Sequence, residues 1–183
     1  MTPFEYLAVL ISIVLGLGVT ELLAGLQRLA HARDRVRFHW LSLTWSGIVF
    51  VALVQWWWAA FGFRDRMEWN FFSFLLILLV PVLYYLAAAL VLPVQERKEG
   101  FDLRAHYFAI HRLFFGAIAT ATLLEALRAL VVSDVQAALL NLAATTLLVS
   151  LAIVRSPRVH AVGTLMAAGL LAAFIVVETL RIA

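Results

Sequence analysis

Residues Leu7–Leu29 read LAVLISIVLGLGVTELLAGLQRL, an apolar run broken by one carboxylate, Glu21, and closed by a base, Arg28. At about 1.5 Å per helical residue the run is long enough to cross ~30 Å of hydrocarbon. An ionisable side chain at that depth costs several kcal/mol unless it is paired, protonated or wetted, so Glu21 marks a functional position by default.

Working outward, five further stretches have the same character. The expected spans are Phe4–Leu29, Leu41–Phe63, Phe71–Leu92, Phe108–Val132, Val135–Val154 and Ala161–Ile182. The breaks between them carry charge or proline: His31–His39, Arg64–Asn70, Pro93–His106, Ser133–Asp134 and Arg155–His160. The two-residue break at Ser133–Asp134 makes spans four and five an antiparallel hairpin. Composition agrees: 64% of the 183 residues are hydrophobic and 14% charged, which excludes an ordinary soluble domain. The fold class is therefore all-α, a polytopic integral membrane protein built as a six-transmembrane-helix bundle, and residues 1–183 form a single transmembrane domain.

Lys and Arg set an orientation. Ten of the fourteen lie in or beside the first, third and fifth breaks, among them Arg33, Arg35, Arg37, Arg155 and Arg158; Arg64, Arg66, Arg128 and Arg181 lie on the other side. By the positive-inside rule both termini are outside, in what reads as a bacterial inner (plasma) membrane. Trp56, Trp57, Trp58 and Trp69 toward one interface and Trp40 at the other form the aromatic belts. The formal charge of +3 belongs to this topology and to lipid headgroups, not to a nucleic-acid partner. Glu5 precedes the first apolar run and the arginines follow it, so the run reads as a retained helix and not a cleaved signal. The stretch from Pro93 to Arg104 balances its charges and reads as a solvated loop entering an interfacial helix at Leu103–His111.

Residues three, four and seven apart share a helix face. Gly18, Glu21, Gly25 and Arg28 form one such stripe, with glycines that admit a neighbouring backbone. Ser12, Gly16 and Thr20 form a second, small-xxx-small stripe, and two packing faces make span one a central helix. Glu125 with Arg128, and Glu178 with Arg181, are spaced for same-helix ion pairs. Gln55, Glu125 and Asn141 fall about two turns inside the same interface on three different helices, a polar layer around a network or a vestibule. A weak Thr/Leu/Glu similarity between Val19–Leu23 and Thr122–Glu125 raises the arrangement of two inverted three-helix halves.

Catalytic signatures are sparse. The chain has no cysteine, so thiolate metal sites and thiol nucleophiles are excluded. Gly16-Leu17-Gly18 lacks the strand context of dinucleotide binding, and no P-loop, GxSxG or HExxH occurs. All five histidines fall on the basic side; His106, His111 and His160 are the nearest thing to metal ligands, but their spacing favours headgroup contact instead.

The leading expectation is a small ion or proton channel or transporter, with Glu21, Glu125, Gln55, Asn141 and Glu178 as pathway residues and a homo-oligomer in the bilayer as its working form. The alternative is a non-transporting subunit, sensor or scaffold whose buried polar residues specify helix pairing. A third reading is an intramembrane metal- or haem-dependent enzyme; the sequence itself calls for no cofactor.

Overall fold

The computed structural model describes residues 3–64, 70–94 and 100–182, apart from the side chains of Pro3, Phe101 and 178–182. The belt position assigned to Trp69, the charges at 95–99 and the Glu178–Arg181 pair lie outside the described residues.

Six α-helices form where the apolar runs predict them: α1 Pro3–His31, α2 Trp40–Ala60, α3 Phe71–Val91, α4 Leu103–Val131, α5 Val135–Ile153 and α6 Pro157–Ile182. Each contains a stretch long and apolar enough to cross a membrane. Local chemistry sets the ends. The Asn70 side chain accepts from the Ser73 amide and the Ser73 hydroxyl closes the reciprocal bond, a capping box that starts α3. Between α4 and α5, Ser133 takes a positive φ of 59° while the Asp134 amide donates to Ala129 O (2.8 Å) and the Ser133 amide to Leu130 O (3.1 Å). That is a Schellman closure, and the Asp134 side chain then caps α5 through the Ala137 amide. The hairpin expected from the short break is therefore present.

Two boundaries depart from expectation. The segment Leu103–His111 is no separate interfacial helix but the first turns of α4, because Asp102 caps the helix at the Ala105 amide and no Gly or Pro interrupts it before Gly116. Likewise α6 begins at Pro157, since proline in a first turn gives up an amide hydrogen that has no intrahelical partner.

Helices α2, α3, α4, α5 and α6 pack each on the next, and α6 returns to α2, which closes a five-helix ring. Helix α1 lies outside that ring against α2 and α3, a peripheral position and not the central one its two small-residue stripes suggest. The ends of the bundle differ in covalent wiring. One carries both termini, the α2–α3 connection and the α4–α5 turn; it is called here the termini end. The other, the basic end, carries the α1–α2, α3–α4 and α5–α6 connections.

At the basic end two residues of each long connection pair in parallel, β1 Val36–Arg37 with β2 Phe101–Asp102. Gly100 makes this pairing feasible. Its φ is +96°, and a Cβ there would collide with the backbone carbonyl of Arg35.

Candidate functional site

The ring interior is filled toward the basic end and hollow toward the termini end. Trp45 of α2 sits at the junction, fully buried, with Phe114 and Phe115 of α4 edge-on to its ring at centroid distances of 5.6 and 4.9 Å. Its indole N–H donates to Thr164 Oγ1 (2.9 Å), and the Thr164 hydroxyl donates to His160 O (2.7 Å).

Below Trp45, toward the basic end, lies His160, with no exposed surface. Its Nε2 faces the Val154 carbonyl at 2.8 Å, and a carbonyl only accepts, so Nε2 carries the proton. Nδ1 is then the acceptor for the Tyr107 hydroxyl, also 2.8 Å away. His111 donates from Nδ1 to Phe108 O (2.9 Å), and its Nε2 is buried without a partner. His39, just outside α2, stacks beside Tyr107 at 5.2 Å, and its Nδ1 lies 3.4 Å from Ser42 Oγ. Burial first, and then the Arg104 guanidinium, hold the His39 imidazole below its ordinary pKa; Asp102 opposes them and His160 adds to them. The result is a close-packed aromatic plug bound to four elements.

Above Trp45 the ring holds a cavity of about 760 Å³ walled by α2, α4, α5 and α6, with Tyr84 of α3 also in its lining. It extends from Trp45 to Ala60, roughly 22 Å along α2, and on to Gly62 just past its end. Its wall is mainly small and aliphatic, for example Ala52, Ile118, Ala144 and Leu171. Glu125 is its buried charge. Trp56 Nε1–H donates to Glu125 Oε1 (3.2 Å), and Arg128 holds Oε2 through Nε (2.8 Å) and Nη2 (2.6 Å). The carboxylate is thus paired and hydrogen-bonded on both oxygens, the condition under which a buried charge persists. Next to it, the Thr122 and Thr145 hydroxyls bond at 2.9 Å between α4 and α5.

Gln55, Glu125 and Asn141 all line this one cavity. Glu21 does not; it is half-buried at the edge of the α1 contact face, with no hydrogen bond or ion pair among the described residues. Gly18 packs against Leu53 and the Tyr85 backbone, and Gly25 against Leu92, where an added methyl would sit 2.8 Å from Cδ1. Ser12, Gly16 and Thr20 instead face outward, and space beside Gly16 is open. His106 is engaged by Leu90 O (2.9 Å) and lies apart from the His111–His160 contact, whose rings are 5.9 Å apart. Among the described residues no three metal-ligating side chains converge. His111 and His160 are core residues, not the headgroup contacts their position in the chain suggested.

Trp56, which holds Glu125, and Tyr107, which holds His160, are site residues that hydropathy alone does not single out. A signal was available on α4, where Tyr107, His111, Phe114, Ile118, Thr122, Glu125 and Ala129 recur at spacings of three and four and are all buried. On α2 the buried residues Trp45, Val49, Ala52, Trp56 and Ala60 recur at the same spacings.

Comparison with family models, curated proteins and solved structures gives no match. The site therefore speaks through its own chemistry.

Proposed function

We propose that this chain is an integral membrane protein that binds a small, largely apolar molecule in the ring cavity, with Glu125 rather than Glu21 as its organising carboxylate. The observation that carries this reading is the cavity itself: about 760 Å³ lies within the 300–1,000 Å³ range of ligand sites, its wall is apolar, and its few polar groups converge near one level. The ten-to-four partition of basic residues supports an orientation with the basic end inside, so the ligand enters from the outer side.

A carrier cycle is the second reading, and one feature favours it over simple binding. Besides its packed rings, the inner closure carries two side-chain hydrogen bonds, Trp45 to Thr164 and Tyr107 to His160, in series beneath the cavity. Alternating access would need this closure to open as one part of the bundle moves against the other. A continuous ion pore is not supported by a ring interior blocked at Trp45.

The deciding experiment fills the cavity. Ala144→Phe and, independently, Ala52→Phe should abolish saturable uptake of a hydrophobic probe by nanodisc-embedded protein while leaving the helical circular-dichroism signal unchanged. Equal saturable binding by wild type and both folded variants sinks the proposal. Passage through the bundle is tested by the same probe in liposomes, with Tyr107→Phe expected to change flux and not binding.

A further inference from the structure

We infer that the ligand is uncharged and carries a hydrogen-bond-accepting group, such as an ester, ketone or quinone carbonyl, on a lipid-soluble body. This rests on the cavity being a ligand site, and two observations take it further.

The first is the charge balance of the wall. Glu125 and Arg128 neutralise one another at 2.6–2.8 Å, and Trp56 satisfies the remaining carboxylate oxygen. Asp134, at the mouth, is engaged as the cap of α5. A charged head would bring its own desolvation cost and meet a counter-ion already saturated by a better-placed partner. The cavity therefore disfavours ions of either sign.

The second is the set of polar groups left over. Gln55 Nε2 is buried and has no partner. Asn141 donates its Nδ2 to Ala137 O (2.9 Å), which leaves the Oδ1 acceptor without a bond. The Tyr84 hydroxyl makes no hydrogen bond among the described residues. These groups come from α2, α5 and α3, yet all three residues line one cavity. A buried donor without an acceptor is costly, and that cost is recovered when a ligand supplies the acceptor. Gln55 is the donor that would read a carbonyl oxygen; the Tyr84 hydroxyl is free to give a second bond.

The test uses four brominated probes built on a ten-carbon chain with nanodisc-embedded protein: bromodecane, methyl bromodecanoate, bromodecanoate and bromodecyltrimethylammonium. Contact quenching of the cavity tryptophans Trp45 and Trp56 reports occupancy. The specific signal is the part that Ala144→Phe or Ala52→Phe removes, which subtracts quenching by probe dissolved in lipid. The ester should half-saturate at about tenfold lower concentration than bromodecane, one hydrogen bond's worth, and both charged probes should do no better than bromodecane. Gln55→Leu should erase most of the ester's advantage over bromodecane.

Equal affinity for ester and bromodecane overturns the inference while leaving the cavity as a binding site. Tighter binding of either charged probe overturns it as well. If no probe gives a specific signal, the proposed binding function fails first. Should Gln55→Leu fail to fold, Gln55→Met keeps the test intact: a side chain of similar length without the amide donor must cost ester binding, and retained ester affinity refutes the donor role.

Discussion

The two ends of the five-helix ring are built on the same stripe of α4 and solve opposite problems. Tyr107, His111, Phe114 and Phe115 fill the basic half with rings in mutual contact, whereas Thr122, Glu125 and Ala129 leave the termini half open around one ion pair. Where helices are surrounded by lipid, burial of apolar surface gives no drive to associate, and dispersion contacts and internal hydrogen bonds must hold them. The filled half concentrates both. The hollow half gives up dispersion contacts across a cavity, a sacrifice that makes sense if something else occupies it.

That contrast is exposed first by truncation at the junction. Trp45→Ala removes an indole buried against Phe114 and Phe115 together with the Thr164 bond, and should cost about 3–4 kcal/mol in reversible denaturant unfolding, the largest effect of any single change considered. A smaller loss, or none, would mean that the plug does not anchor the ring. Enlarging side chains then distinguishes the two halves directly. Ala87→Phe, at a position with no exposed surface, should cost about 2 kcal/mol through overpacking, whereas Ala144→Phe enters empty space and should change stability by less than about 0.5 kcal/mol in the same assay.

The ion pair comes next in size. Glu125→Leu strands the Arg128 guanidinium and the Trp56 N–H, a loss of about 2 kcal/mol after allowing for the partial exposure of Arg128, and Arg128→Leu added to it should restore at least half. Additive losses in the double variant would show that the two charges act independently. Tyr107→Phe removes one hydroxyl and should cost about 1 kcal/mol, by weakening the link between α4 and α6.

The smallest effect is on pH dependence. Because the His39 imidazole is harder to protonate in the folded bundle than in the unfolded chain, its contribution is level above the ordinary histidine value of about 6.5 and turns destabilising as pH falls below it. His39→Gln should flatten that acidic decline in a thermal-denaturation series. An unchanged decline would assign it to another group.

Much of this fold was written in the pattern of apolar runs. Hydrophobic length located six helices, and the Ser133–Asp134 break gave the α4–α5 hairpin, because both depend only on local sequence. The three-helix level of Gln55, Glu125 and Asn141 could be placed by counting turns from a common edge, which is why these residues reach one cavity. Glu21 drew attention for the same reason, yet depth does not fix azimuth. Which face of α1 meets α2 and α3 is decided by Leu7, Ile11, Leu15, Leu22 and Leu29, a wider apolar stripe than either glycine pattern, and it turns Ser12, Gly16 and Thr20 outward. Tyr107 lies on the buried stripe of α4, but its pairing with His160, 53 positions away, is set by how α4 and α6 pack and not by either local pattern. The early start of α4 turned on a single cap, Asp102, whose value lies in one hydrogen bond and not in hydropathy.

The short pairing of Val36–Arg37 with Phe101–Asp102 also bears on how the chain is made. Its strands are separated in the chain by the whole of α2 and α3, so it closes only after both have been synthesised and delivered. In the membrane orientation proposed above, the two segments meet only if the chain has crossed twice between them. A nascent chain that threads one of those helices and drops the other leaves its strands on opposite faces of the bilayer. The clip, with Gly100 as its required hinge, therefore ties together two connections that α2 and α3 have brought back to the same end of the bundle.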